Sequence, residues 1–189
     1  NIGGGTEKAT YYLGQGHLNQ DGIVSGTYYK NYSAIFNGTY RLSDRVSINT
    51  NIGYQIRNAN APNNYQNVLA RSVTMPFTYR LNYEDGKPAP GEGKADYRNR
   101  NHEVYYKEQY TDINVYRTTF RVGADWSILP GLSFSPSFYW FTTEGVENRF
   151  EAANEVNSRR DASADHDFLK ETQVDGLLTY DRQRAGKHH

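Results

Sequence analysis

Residues able to hold a cation or move a proton come closest together in one segment, Asp161-Ala162-Ser163-Ala164-Asp165-His166-Asp167. Oxygen-bearing side chains stand at its first, third, fifth and seventh places, the opening of a calcium-loop spacing. The spacing then fails. His166 stands where glycine makes the sharp turn, and Thr172 stands where a bidentate glutamate closes the shell. A solvated loop accounts for the segment better than a metal does. His188 and His189 are adjacent, and neighbours in a strand point to opposite faces, so they do not form a ligand pair. The remaining His, Ser and Asp residues show neither zinc-site spacing nor a nucleophile elbow. No catalytic residue, metal or cofactor is assigned, and the chain does not read as an enzyme.

The polar residues that remain are of the binding kind, and their order is regular. Between Lys30 and Arg57, every second residue is apolar or aromatic: Tyr32, Ala34, Phe36, Gly38, Tyr40 and Leu42, then Val46, Ile48, Thr50, Ile52, Tyr54 and Ile56. The residues between them are Asn31, Ser33, Asn37, Thr39 and Arg41, then Ser47, Asn49, Asn51, Gln55 and Arg57, with Ile35 the apolar exception. Side chains of a strand alternate with period two, so this is a hairpin with one greasy and one wet face, turning at Ser43-Asp44-Arg45. Each half supplies the roughly 9–11 residues with which a tilted strand crosses a bilayer.

The design repeats downstream. Tyr116, Thr118, Phe120, Val122, Ala124, Trp126 and Ile128 share one face, against Arg117, Thr119, Arg121, Asp125 and Ser127. After the turn Leu129-Pro130-Gly131 come Leu132, Phe134, Pro136, Phe138 and Trp140, against Ser133, Ser135, Ser137 and Tyr139. Pro136 removes a ladder hydrogen bond, so a bulge is expected there. A less regular strand is expected from Ala9 to Leu18, preceded by a turn at Gly3-Gly4-Gly5-Thr6-Glu7. A last strand is expected from Glu171 to Asp181, ending in a turn from Gln183 to Lys187. Loops are expected near residues 19–29, 58–112 and 145–169. The expected fold is thus all-β, an antiparallel transmembrane β-barrel segment of about six strands. Short turns alternate with long loops, which in outer-membrane barrels lie on the periplasmic and extracellular sides respectively. Six strands leave bare edges, which are costly in lipid. The chain also begins at Asn1 without Met or a secretory signal, and it is expected to be a piece of something longer.

Composition fits this reading. Only 37% of residues are apolar, with a mean hydropathy of -0.86, yet aromatics make up 14%, a content disordered chains lack. In a barrel only alternate strand residues face lipid, and polar loops dilute the average further. No run of about 18 apolar residues suggests a membrane helix. The formal charge is +0, which argues against nucleic acid as a partner. Cysteine is absent, which excludes disulfides and thiolate metal sites and suits passage through an oxidising periplasm.

The segment from Gly3 to Asn37 resembles the early barrel of the SusC/RagA-like TonB-dependent transporters of Bacteroidota. There a turn and a Tyr-Tyr strand lead to a Gln/Asp-Gly-Ile-Val loop, then to a strand with an Asn-bearing polar face. Here those positions are Gly4, Thr6, Tyr11, Tyr12, Leu18, Gln20, Asp21, Gly22, Ile23, Val24, Tyr32 and Asn37. The terminal run from Leu177 to His189 is similar to the family's entry into a later hairpin. The resemblance implies that residues 1–189 are part of a 22-stranded β-barrel domain whose plug and remaining strands lie outside this chain. It further implies TonB-dependent import of oligosaccharides or peptides across the Gram-negative outer membrane. The implied partners are a SusD-like surface lipoprotein, TonB and outer-membrane lipid. The inward residues nearest the extracellular rim, Asn31, Gln55, Arg57, Arg117 and Tyr139, then become candidate solute-lining groups, with Tyr79 and Tyr83 from the long loop. Tyrosine platforms suit sugar stacking, and amides suit hydrogen bonding to hydroxyls or peptide backbone. The bland readings are that the inward residues hold a plug or face water, and that the tyrosines pack against a lid protein. Two other readings stay open: a passive porin, and a soluble β-sandwich whose dry core is the face bearing Phe36, Ile52, Trp126 and Trp140.

Overall fold

A computed structural model describes residues 1–63, 65–75, 80–86, 109–153 and 159–181, with Thr78, Ala89 and Glu103 as isolated positions. Period-two patterning yields strands wherever it occurs. They are β1 (Ile2–Gly5), β2 (Ala9–Asp21), β3 (Tyr28–Ser43), β4 (Val46–Ala61), β5 (Gln109–Leu129), β6 (Leu132–Glu151) and β7 (Asp161–Tyr180). One helix, α1 (Tyr65–Thr74), lies between β4 and β5. The strands form a single antiparallel sheet in the order β1-β2-β3-β4-β5-β6-β7, each paired with its sequence neighbour.

The sequence-based faces survive pairing. Leu13, Phe36, Ile52, Phe120, Trp140 and Thr172 form one continuous row across six strands. A second row, nearer the short turns, runs Val46, Trp126, Phe134 and Leu178. No second layer covers this face among the described residues. Ile52 is 40% exposed and Trp126 47%, while the buried apolar residues are Val24, Val68 and Ala89, away from the sheet. A sandwich needs that face dry. The described residues by themselves form one open sheet and not a sandwich.

Several boundaries differ from expectation. Among the described residues there are seven strands where six were expected, because Gly3-Gly4-Gly5 is not a turn but part of β1, paired with Thr10–Tyr12 of β2. Glycine carries no side chain, so a glycine strand shows no alternation to read. The loop expected over residues 19–29 shrinks to 22–27, since Asn19, Gln20 and Asp21 pair with Lys30, Tyr29 and Tyr28. The loop expected over 145–169 is largely strand as well, with β6 running to Glu151 and β7 starting at Asp161. Asp161, Asp165 and Asp167 accordingly sit in an extended ladder opposite Glu151, Glu147 and Gly145, and do not form a loop that could wrap a cation. The bulge expected at Pro136 is absent. Partners pass from Trp126↔Phe134 to Gly123↔Ser137 in unchanged register, and the shift lies between Ser127 and Leu129, beside the turn. Pro136 cannot donate to the ladder, but it opposes Gly176 of β7 in register. The turn expected at Gln183 to Lys187 lies outside the described residues.

Candidate functional site

The polar face is built in rows. Tyr12, Asn37, Asn51, Arg121, Tyr139 and Gln173 form one row, and Ser33, Gln55, Arg117 and Thr143 form another four residues farther along each strand, away from the short turns. Amide side chains bridge neighbouring strands. Asn51 donates from Nδ2 to Asn37 Oδ1 at 2.6 Å, and Gln55 donates from Nε2 to Asn31 Oδ1 at 2.9 Å. Asn49 donates to Asp125 Oδ2 at 3.3 Å, and Ser135 donates to the other oxygen of that carboxylate at 2.9 Å. Such bonds tie down side chains that would otherwise be free to rotate, presenting a fixed lattice of donors and acceptors.

Of the candidate residues, Asn31, Gln55, Arg57 and Arg117 come together. Asn31 opposes Arg57, and Gln55 opposes both Ser33 and Arg117. Tyr139 is two rows nearer the short turns, opposite Arg121 and Gln173, with its ring stacked on Phe141 at 6.4 Å between centroids. Tyr83 lies in the connection between α1 and β5, where the Arg80 guanidinium sits 5.7 Å from its ring centroid. Tyr79 lies outside the described residues.

Two concavities on this side were not anticipated. One, of about 510 Å³, is lined by Asn51, Arg121, Ser137, Tyr139, Gln173 and Asp175. It joins a cation, a carboxylate, amides and a phenol, a set suited to neutral polar or zwitterionic solutes. Asn51, Arg121 and Tyr139 were readable as inward residues, but Gln173 and Asp175 belong to a strand whose polar and apolar residues alternate poorly. The second, of about 290 Å³, lies where the long strands end, lined by Asn63, Arg149, Phe150, Glu151, Asp161 and Ser163 among others. Arg149 and Glu147 form an ion pair there at 2.7 Å. Asn63 fixes the chain as it leaves β4, donating to the Phe150 carbonyl at 3.1 Å and accepting from Thr111 Oγ1 at 2.7 Å.

Above this end, α1 sits on the short connection between β2 and β3. Val68, 3% exposed, clusters with Val24, 7% exposed. Thr27 N–H bonds to the Val24 carbonyl at 3.1 Å and Gly22 N–H to the Thr27 carbonyl at 2.9 Å, so the seat of the helix is itself a closed turn. Among the described residues no group of three or more His, Cys, Asp or Glu could hold a metal. No described helix is long and apolar enough to cross a membrane, which says nothing about crossing by strands.

No family model matches the chain, and no curated protein sequence does. Solved structures do. A chain of the RagAB peptide transporter superposes with a TM-score of 0.69 at 18% identity, covering 92% of this chain and 21% of that one. A chain of the RagAB peptide importer in a "closed-closed" state gives a TM-score of 0.66 at 16% identity, with the same coverage. At such identity the likeness is one of fold: this sequence spans about a fifth of those chains, and its seven-stranded antiparallel sheet has the architecture of part of their structure.

Proposed function

We propose that this chain forms part of the wall of a plugged outer-membrane transporter of the SusC/RagA type, which imports oligosaccharides or peptides. One observation carries the reading: a single sheet whose uncovered face is apolar and whose opposite face carries amides hydrogen-bonded across strands, with Arg117 and Arg121 in the same rows. In water an open apolar sheet is an aggregation surface, and in a bilayer it is the outside of a barrel. The polar face then lines the lumen. Further strands outside this sequence complete the barrel, since bare strand edges in hydrocarbon leave backbone groups unsatisfied at a cost of several kcal/mol each. The RagAB structures are named for peptide transport, which favours peptides, and a fixed set of amide donors and acceptors suits a peptide backbone. A SusD-like lipoprotein seated on the α1 end and energy coupling through TonB complete the proposal.

The test is uptake of labelled oligopeptides and oligosaccharides by cells with and without the gene, each with and without an uncoupler of the proton-motive force. Gene-dependent, uncoupler-sensitive uptake of either class supports the proposal. Uptake that persists in the presence of uncoupler makes the protein a porin, and gene-independent uptake removes the transport reading.

A further inference from the structure

The apolar face carries a groove that the transport function does not use. It holds about 300 Å³ and is lined by the side chains of Ile48, Val122, Ala124, Pro136, Phe138 and Val174, with Gly123 and Ser137 at its floor. Its origin is a step in side-chain size. Between the bulky row Phe120–Trp140 and the bulky row Trp126–Phe134 lie Ala124, Pro136 and Gly176, all small or ring-closed. The walls are aromatic. Phe138 packs against Phe120 with ring centroids 6.3 Å apart, and a carbon of the Phe134 ring lies 3.2 Å from where a Cβ on Gly176 would stand. The floor lies where the β5–β6 ladder is interrupted, between Gly123↔Ser137 and Trp126↔Phe134, beside Pro136, which has no N–H to donate.

We infer that this groove seats one acyl chain of a phospholipid in the leaflet nearer the short turns. The inference rests on the transmembrane reading above. A site for a soluble ligand sets polar groups among its apolar ones to fix orientation, whereas the side chains lining this groove are all apolar except Ser137, whose register sets it on the opposite face with Gly123. The occupant therefore offers no polar group at this depth, which describes a hydrocarbon chain. The place in the sheet agrees: the groove lies between the two aromatic rows, within the span of the apolar band and on its short-turn side. Its volume of about 300 Å³ stands at the lower end of the roughly 300–1,000 Å³ range of ligand clefts.

The test is photolabelling of the full-length protein in phosphatidylethanolamine liposomes that carry a diazirine on the acyl chain, with labelled residues mapped by mass spectrometry. The expected result is several-fold greater labelling of Val122–Ala124 and Pro136–Phe138 than of Phe36 or Ile52 on the same face. Ala124→Phe, which fills the groove, is expected to abolish the excess and leave labelling at Phe36 and Ile52 unchanged. If that variant fails to insert, Ala124→Ile serves with a partial loss. Equal labelling along the whole face overturns the groove and leaves the transmembrane reading standing. A loss of labelling everywhere on this face overturns the transmembrane reading itself. Excess labelling that survives Ala124→Phe in a folded protein also overturns the proposal, because the lipid would then be held elsewhere.

Discussion

Asn51 and Asn37, fourteen residues apart in sequence, share a 2.6 Å amide–amide hydrogen bond on one side of the sheet. Their chain neighbours Ile52 and Phe36 face each other on the other side. One step along the backbone thus changes the required chemistry completely. Arginine placed at Ile52 or Phe36 is expected to destabilise the membrane-inserted protein by about 2–4 kcal/mol if the site lies at midplane. Arginine at Asn51 or Asn37 is expected to cost much less, because water reaches that face. Denaturant unfolding in liposomes reads the difference. Equal costs on both faces would contradict a lipid-facing wall.

Gly131 and Gly26 separate two effects of glycine. Both have positive φ, 83° and 80°, a region that costs other residues about 1–2 kcal/mol. Around Gly26 a Cβ would meet nothing within 4 Å, whereas at Gly131 it would collide with the Asp181 carbonyl oxygen. That contact cannot relax freely, since Asp181 N–H bonds to the Gly131 carbonyl at 2.7 Å. Gly131→Ala is therefore expected to destabilise clearly more than Gly26→Ala. The fraction that remains folded on heat-modifiability gels compares the two. A smaller effect at Gly131 would mean that the short turn gives way without cost.

These 189 residues contain no cysteine, so thiols introduced one at a time can map the orientation against the parent protein as background. Ile23 and Val73 are 95% and 85% exposed at the end carrying the longer connections, and Asp44 lies in the short turn at the other end. With Ile23→Cys or Val73→Cys, an impermeant maleimide is expected to react on intact cells. With Asp44→Cys, reaction is expected only after the outer membrane is opened. The reverse pattern would invert the topology and, with it, the proposed direction of import.

What could be read from sequence, and what could not, divides at one level of the sheet. From Phe134 to Trp140 and from Ile48 to Ile56, one face meets apolar surroundings and the other is wet, so alternation announces both strand and face. From Glu144 upward in β6 the outward residues are mixed: Glu144 and Asn148 stand between Val146 and Phe150, and His166, opposite Val146, bonds Glu144 at 2.9 Å. With polar residues on both faces, alternation blurs while backbone pairing continues. Residues 145–151 and 161–169 therefore read as loop and fold as strand. Gln173 and Asp175, opposite Tyr139 and Ser137 at the legible level, were missed for another reason: Thr172 and Gly176 interrupt the apolar face of β7, so its alternation does not separate the two faces. The cluster of Asn31, Gln55, Arg57 and Arg117 was legible because register follows from a tight turn at Asp44–Arg45, which fixes every opposing pair in β3 and β4. Helix α1 left no such signal, because among its described side chains Val68 alone is buried, against a turn rather than as part of a full apolar stripe against a core.

Removal of residues 64–108, replaced by a short Gly-Ser link, is expected to separate insertion from function. Strands β4 and β5 pair without interruption from Val46↔Trp126 to Ala61↔Thr111, so their register does not depend on the connection between them. Ala61 of β4 already pairs with Thr111 of β5, and Asn63 is held against β5 and β6 by its bonds to Thr111 and Phe150. The shortened protein is therefore expected to insert and to show the heat-modifiability of the parent. What it loses is α1 with its seat on Val24, together with Tyr79 and Tyr83. A connection far longer than the about 15 residues beyond which loops are usually functional or disordered is not there to join two adjacent strands. Uptake is expected to fall to background, or a co-purifying surface lipoprotein to dissociate, with no change in the amount of inserted protein. Unchanged uptake and unchanged co-purification in a correctly inserted variant would show that the solute path and the partner contact lie elsewhere on the protein.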